Sequence, residues 1–126
     1  MSLRTDLGKV RGLGSAKEGV NHWWWQRVTA VALVPLVLWF VASVIGLAGS
    51  EIGAVRAWVA WPVSAVLLLL LIGVTFHHMQ LGIQVVIEDY VHTNWLKIAS
   101  IIFVKFATVI LALASAFAVL KIAFVG

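Results

Sequence analysis

Residues 61–90 read WPVSAVLLLLLIGVTFHHMQLGIQVVIEDY, and this stretch decides how the chain folds. The run from Trp61 to Ile87 is apolar over more than the about 20 residues that a helix needs to cross the hydrocarbon of a bilayer. Its second half and end carry two of the four histidines and the only tyrosine of the chain. Ionisable side chains inside a membrane helix cost about 3 kcal/mol at its centre, so they mark a functional site by default. The stretch therefore predicts a transmembrane helix that carries a site.

The composition of the whole chain extends this interpretation. Of the 126 residues, 63% are hydrophobic and 11% are charged, with a mean hydropathy of +1.06, whereas soluble domains are about 45–50% apolar and about 25% charged. Three apolar runs are long enough to span a bilayer, and none alternates with the period of an outer-membrane barrel strand. We therefore predict an all-α membrane protein with three transmembrane helices, at about residues 28–48, 61–87 and 98–120.

The segments outside these spans indicate the domain organisation and the orientation. Residues 1–20 form a polar N-terminal segment, and residues 21–126 form the membrane anchor domain, in which residues 49–58 are interpreted as a connection. Trp61-Pro62 would open the second span. With the N-terminus on the cytoplasmic or matrix side, basic residues concentrate on that side, as the positive-inside rule requires. They are Arg4, Lys9, Arg11, Lys17, Arg27, Lys97 and Lys105, against Arg56 and Lys121 outside.

Two features of the composition exclude whole classes of function. The chain has no cysteine, which excludes disulfides, thiolate-held metals, iron–sulfur ligation and cysteine nucleophiles within it. Any metal must therefore be held by nitrogen or oxygen. The net charge of +4 and the pI near 10.0 are explained by the membrane topology, so we expect membrane lipid and no nucleic acid as a partner.

The middle span carries a histidine, a glycine and an aspartate on one helical face, together with a valine. Four residues offset by 4, 7 and 11 positions lie within about 40° of one another at about 100° per residue; they are His78, Gly82, Val85 and Asp89. A histidine there packs through a hydrogen bond, relays protons or ligates haem iron, and the spacing leaves all three open. Gly82 would leave room for a planar cofactor ligated by His78, whereas His77 points about 100° away. A second haem ligand would have to come from another chain.

An aromatic and basic element precedes the first span and reads HWWWQRVTA over residues 22–30. Tryptophan rings favour the headgroup level of a membrane, so three in a row indicate an aromatic belt. Arg27 is explained less easily, because a guanidinium that borders an uncharged run needs an anionic partner. That partner is a lipid phosphate or a cofactor carboxylate, and spacing alone does not decide between them.

Together these elements resemble a known family. The pattern His78-x3-Gly82-x6-Asp89-Tyr90 on the second of three spans, preceded by the element at residues 22–30, is similar to the smaller of the two hydrophobic membrane anchors of the succinate dehydrogenase family, respiratory complex II. The resemblance covers the chain from about residue 19 to its end. The larger anchor of that family carries a Ser-Pro-His element before its first span, and its absence here favours the smaller anchor.

The resemblance implies a haem b shared between two anchor subunits. His78 would be the axial iron ligand from this chain, opposite a histidine of the larger anchor, and Gly82 would pack against the haem. Arg27 and His22 would contact the haem propionates. Family members can carry a histidine slightly before His22, where this chain has Asn21, so the sequence departs from the family pattern at the second propionate contact.

The resemblance also implies a quinone site and a set of partner subunits. Tyr90 would hydrogen-bond a ubiquinone carbonyl, with Asp89 beside it in the same network. FAD and iron–sulfur clusters would belong to a flavoprotein subunit and an iron–sulfur subunit, and the larger cytochrome b anchor would pack against this chain as a second three-helix subunit. No dicarboxylate chemistry would then take place in this chain. The expected location is the bacterial cytoplasmic (inner) membrane or the mitochondrial inner membrane.

Two other functions stay open from the sequence. One is a haem b anchor of another quinone-linked oxidoreductase, such as fumarate reductase, which the co-purifying soluble subunits would identify. The other is a non-enzymatic three-span membrane protein in which the histidines only pack through hydrogen bonds. Such a protein would show no haem band and would bind no quinone.

Overall fold

The computed structural model describes residues 17–125, with side chains from residue 20 onward. This part of the chain is helical except for short connections. Its helices are α1 over Lys17–Leu47, α2 over Ile52–Ala60, α3 over Pro62–Tyr90 and α4 over Asn94–Phe124. Residues 1–16 of the predicted polar N-terminal segment lie outside the described residues, and the remainder of that segment is the start of α1.

The three predicted spans are confirmed. Three helices are long and apolar enough to cross a membrane, namely Val20–Leu47, Pro62–Tyr90 and Asn94–Phe124. The first of them begins well before residue 28, where the apolar run was predicted to start. Residues 21–27, which include three tryptophans and Arg27, precede that run and still belong to α1. Neither tryptophan nor arginine strongly disfavours helical backbone. The start of α1, the end of α3 and the start of α4 therefore extend beyond the predicted spans into polar residues.

The connection between the first two spans contains a helix, which the sequence interpretation of residues 49–58 missed. Gly49 follows α1 with a φ of +82°, a left-handed conformation that glycine adopts without strain. α2 then continues for 9 residues and ends at Trp61, whose backbone is extended, as is favoured before a proline. Trp58 of α2 stacks on Trp39 of α1 with ring centroids 5.5 Å apart. This long-range tryptophan pair stabilises α2 against α1.

The central helix of the arrangement is α3, which packs against α4, α1 and α2. These contacts bury few of the apolar residues. Within the most apolar stretch of each helix, 6% is buried in α1 and 11% in α3. Most of the apolar surface is therefore left to lipid or to a partner subunit. The buried apolar side chains are Val59, Ala65, Leu68, Leu81 and Ile87.

Candidate cofactor site

His78 lies on the side of α3 that faces α1 and is held there by a hydrogen bond. Its Nδ1 atom is 2.9 Å from Oγ1 of Thr29, a residue of α1 that is only 5% exposed. The same hydroxyl oxygen lies 2.7 Å from the carbonyl oxygen of Trp25 and 3.2 Å from that of Gln26. His78 is half-buried. Since the hydrogen bond uses Nδ1, the Nε2 atom on the other side of the ring is left for a ligand.

A groove between α1 and α3 opens one turn beyond His78 and has a volume of about 430 Å³. Gly82 contributes the opening, because a Cβ atom built there would meet only Nε2 of Gln26, at 3.9 Å. The structure thus has open space at Gly82, and His78, one turn earlier on α3, does not itself line the groove. The groove is lined by His22, Trp23, Gln26, Arg27, Gly82 and Val85.

Two buried polar atoms of this groove have no hydrogen-bond partner among the described residues. They are Nε2 of His22 and Oε1 of Gln26. An unsatisfied buried donor or acceptor costs about 1–3 kcal/mol, and folded proteins normally supply a partner for such a group. Both residues line the groove, so its wall carries polar groups whose hydrogen-bonding capacity is not used within the described residues.

Arg27 stands at the same groove with an exposed side chain. Its guanidinium carbon is 5.5 Å from the ring centroid of Trp23, within the range of a cation–π interaction. The contact holds the guanidinium beside the groove. Its N–H groups can still bind a carboxylate or phosphate.

Asp89 and Tyr90 are the last two residues of α3, and both are exposed, Tyr90 by 78%. They lie at the same end of the molecule as Arg27, because the early part of α1 packs beside the late part of α3, as the contact between Thr29 and His78 shows. Neither of them lines the groove. The structure therefore brings His22, Arg27 and Gly82 to one groove and places His78 one turn earlier on α3. The predicted quinone residues lie beyond them, at the end of the helix.

Sequence reasoning missed Thr29 and Gln26, although both shape the site. Together with His22 they recur at intervals of three and four residues, which places all three on one face of α1. That spacing is the signal that could have found them. This face of α1 runs antiparallel to the predicted face of α3. We call the residues that lie opposite each other on the two faces the α1–α3 seam, which consists of three pairs. The pairs are Thr29 with His78, Gln26 with Gly82, and His22 with Val85 across the groove.

A second polar contact joins α3 to α4. Thr108 of α4 is 4% exposed, and its Oγ1 is 2.8 Å from the carbonyl oxygen of Val104 and 3.2 Å from Oε1 of Gln80. His77 lines a cavity of about 170 Å³ beside this contact. Its ring also packs edge-on against Trp25, with centroids 5.9 Å apart. His77 thus packs on α1 through Trp25 and is not one of the three pairs of the α1–α3 seam.

Comparison with known proteins gives one family. Residues 1–112 match the family described as succinate dehydrogenase/fumarate reductase transmembrane subunit. The chain is 34% identical over 108 residues to the succinate dehydrogenase hydrophobic membrane anchor subunit of Rickettsia bellii, which covers 86% of each chain. It is 36% identical over 117 residues to the protein of that name from Paracoccus denitrificans, covering 90% of this chain and 88% of the relative. No solved structure matches the chain.

Proposed function

The chain belongs to the succinate dehydrogenase/fumarate reductase transmembrane subunit family, as a hydrophobic membrane anchor of succinate dehydrogenase, and we propose that it supplies one axial ligand of haem b and part of a ubiquinone-reduction site. Its three apolar helices make it a multi-pass membrane protein. The observation that carries the proposal is the hydrogen-bonded His78 next to an open groove with unpaired polar atoms.

The residues of the α1–α3 seam fit a haem. His78 keeps one imidazole nitrogen outside its hydrogen bond with Thr29, and imidazole nitrogen is a common axial ligand of haem iron. Gly82 leaves space beside it, and Arg27 and His22 provide donors for carboxylates such as the propionates. When bound, haem supplies one-electron redox chemistry. The residues of this chain would hold and orient it.

The proposed site requires a second anchor subunit. Among the described residues, no three histidine or acidic side chains gather as a metal site, and we assign only His78 of the seam to the iron, since His22 is assigned to the propionates. We assign the opposite ligand to the larger cytochrome b anchor, which would cover part of the exposed apolar surface of α1 and α3. Iron–sulfur clusters and FAD are assigned to the soluble iron–sulfur and flavoprotein subunits, since this chain has no cysteine.

The exposed pair at the end of α3 is proposed as the quinone contact. The phenol hydroxyl of Tyr90 can donate a hydrogen bond that polarises a quinone carbonyl, and the carboxylate of Asp89 can orient that phenol or pass on protons. Their position at the same end of the molecule as Arg27 supports a quinone and a haem on the same side of the membrane. Their exposure leaves them free to meet a quinone held between subunits.

The proposed orientation places this end of the molecule on the cytoplasmic or matrix side. Arg27 and Lys97 lie near it, in the early parts of α1 and α4, whereas Arg56 and Lys121 lie toward the other end, in α2 and the last turns of α4. Together with the basic residues that precede α1, this distribution satisfies the positive-inside rule. A reporter fused to the C-terminus should face the opposite side of the membrane.

The proposal is tested on the complex purified from its native membrane through a tag on this chain. We expect mass spectrometry to identify a flavoprotein, an iron–sulfur protein and a second anchor. The reduced-minus-oxidised spectrum should show a b-type haem, and succinate should reduce ubiquinone. A complex without haem or quinone binding would instead be a non-enzymatic membrane protein. Recovery of the soluble subunits of a fumarate reductase would favour the anchor of that enzyme.

A further inference from the structure

We infer that Thr29 is a positioning residue for His78, which it holds in the tautomer that protonates Nδ1 and leaves the Nε2 lone pair free for iron. The inference rests on the proposed function, in which His78 ligates haem. It concerns a residue of α1 that touches neither the groove nor the quinone pair. The hydroxyl of a threonine has a single proton to donate.

The position of that proton follows from two oxygen–oxygen distances. The carbonyl oxygen of Trp25 lies 2.7 Å from Oγ1 of Thr29, and that of Gln26 lies 3.2 Å from it. A carbonyl oxygen can only accept a hydrogen bond. Two oxygen atoms 2.7 Å apart attract each other only when a proton lies between them. The hydroxyl proton of Thr29 is therefore donated to the carbonyl of Trp25.

The hydrogen bond between Thr29 and His78 can then have only one donor. Because Thr29 has already donated its proton, its oxygen meets Nδ1 of His78, 2.9 Å away, with a lone pair. Nδ1 must therefore carry the proton and act as the donor. A neutral imidazole has only one N–H, so Nε2 keeps its lone pair. A hydrogen bond from the other ring nitrogen also orients a metal-bound imidazole and raises its basicity.

Burial keeps this arrangement in place before any cofactor binds. Thr29 is 5% exposed, so bulk water does not compete for its oxygen. The bond to the carbonyl four residues earlier fixes the direction of the hydroxyl. His78 therefore meets a preset acceptor, and the orientation of the ligand does not have to be created when haem binds.

The other interface of α3 provides a matched control. Thr108 is 4% exposed, donates to a carbonyl four residues earlier at 2.8 Å and contacts Gln80 on α3. It therefore matches Thr29 in residue type, burial, backbone bond and partner helix, but its side-chain hydrogen-bond partner is a glutamine instead of a histidine. Replacing each threonine with valine removes the same hydroxyl from the two interfaces.

The test compares complexes that carry Thr29→Val, Thr29→Ser or Thr108→Val, in two measurements other than activity. For Thr29→Val we expect a more positive midpoint potential of haem b, because a less basic ligand stabilises ferric iron less. We also expect haem to pass to apomyoglobin about 10-fold faster, as is usual when a metal-bound histidine loses its hydrogen-bond partner. Thr29→Ser and Thr108→Val should match the unaltered complex.

Three results would overturn the inference. Equal shifts in Thr29→Val and Thr108→Val would mean a packing effect, and no shift in either would mean that the hydroxyl does not act on the ligand. If Thr29→Val does not assemble, Thr29→Ala is measured in its place. Failure of both, with Thr29→Ser intact, would assign the hydroxyl to folding.

A His78→Ala complex separates this inference from the proposed function. If its haem spectrum is unaltered, His78 is not the ligand and the proposed function fails. If its spectrum changes while Thr29→Val behaves like the unaltered complex, His78 remains the ligand and only the role of Thr29 is refuted.

Discussion

The central helix α3 meets its two long neighbours through the same device, and only one of the two contacts is equipped for a cofactor. Toward α1, the buried Thr29 links a backbone carbonyl to His78; toward α4, the buried Thr108 links a backbone carbonyl to Gln80. The oxygen–oxygen distances to the two carbonyls are 2.7 Å and 2.8 Å. The difference lies on α3, because an imidazole has a second nitrogen that binds iron and a glutamine amide has none.

The space beside the two contacts differs as well. The groove next to His78 has about 430 Å³ and two buried polar atoms without partners in the described part of the chain. The cavity next to Gln80 has about 170 Å³. Hydrogen bonds between helices are a general means of packing in membranes. The comparison teaches that such a contact becomes a site only where a ligand atom and an open, partly polar space accompany it.

Filling the groove should have the largest effect on haem binding and so test most strongly whether the two interfaces differ. We expect Gly82→Leu to lower the haem content of the purified complex by about 10-fold or more, since overpacking costs about 1–3 kcal/mol. Gly73→Leu, which places the same side chain beside the smaller cavity, should leave the haem content unchanged. The measurement is haem per complex by pyridine haemochrome. Equal haem content in the two variants would break the distinction between the interfaces.

A change at the end of α3 should separate the quinone contact from the α1–α3 seam. Tyr90→Phe removes one hydroxyl, and loss of a hydrogen bond worth about 0.5–1.5 kcal/mol should lower ubiquinone reduction by succinate up to about 10-fold. The haem spectrum and succinate oxidation by a soluble artificial acceptor should stay as they are. Normal quinone turnover in this variant would remove Tyr90 from the site.

A smaller effect is expected at the edge of the groove. Arg27→Lys keeps the charge but loses the planar fork that binds a carboxylate with two hydrogen bonds. We expect haem to dissociate a few-fold faster, which corresponds to the about 0.5–1.5 kcal/mol of one lost hydrogen bond. Arg56→Lys makes the same replacement on α2 at the other end of the molecule and serves as the control. Identical haem dissociation in both variants would assign Arg27 to lipid.

The smallest effect is expected at the interface with α4. Gln80→Leu removes the 3.2 Å polar contact between Oε1 of Gln80 and Oγ1 of Thr108, so the loss is at most the about 0.6 kcal/mol of a hydrogen bond between membrane helices, while Thr108 keeps its bond to the carbonyl of Val104. The haem spectrum should be unaltered and the thermal unfolding temperature only slightly lower, as followed by circular dichroism. Haem loss comparable to that of Gly82→Leu would show that the two interfaces act as one site.

Much of the fold could be predicted from the sequence, because the membrane imposes a length and an apolarity that each span must meet. The start of α3 at Pro62 also follows from local chemistry. The helix α2 was not predicted. It packs against α3 and α4 and stacks Trp58 on Trp39 of α1, and most of these partners are distant in the sequence. A contact of this kind has no local signature.

The candidate site was predictable on α3 and only partly on α1. Four residues of α3 share a face by spacing alone, and three of them, His78, Gly82 and Val85, meet α1 or line the groove. Thr29 and Gln26 were missed because their importance depends on which residue of α3 lies opposite each of them. Helix spacing identifies a face, but the register between two helices is set by packing.

The most direct test of the central claim is the haem spectrum of two neighbouring variants, His78→Ala and His77→Ala, in the purified complex. The account predicts a weakened or shifted haem absorption for His78→Ala, with succinate oxidation by a soluble artificial acceptor intact. It predicts an unaltered spectrum for His77→Ala, since that ring packs on Trp25 instead. An unaltered spectrum in His78→Ala, or the same change in both variants, would contradict the account.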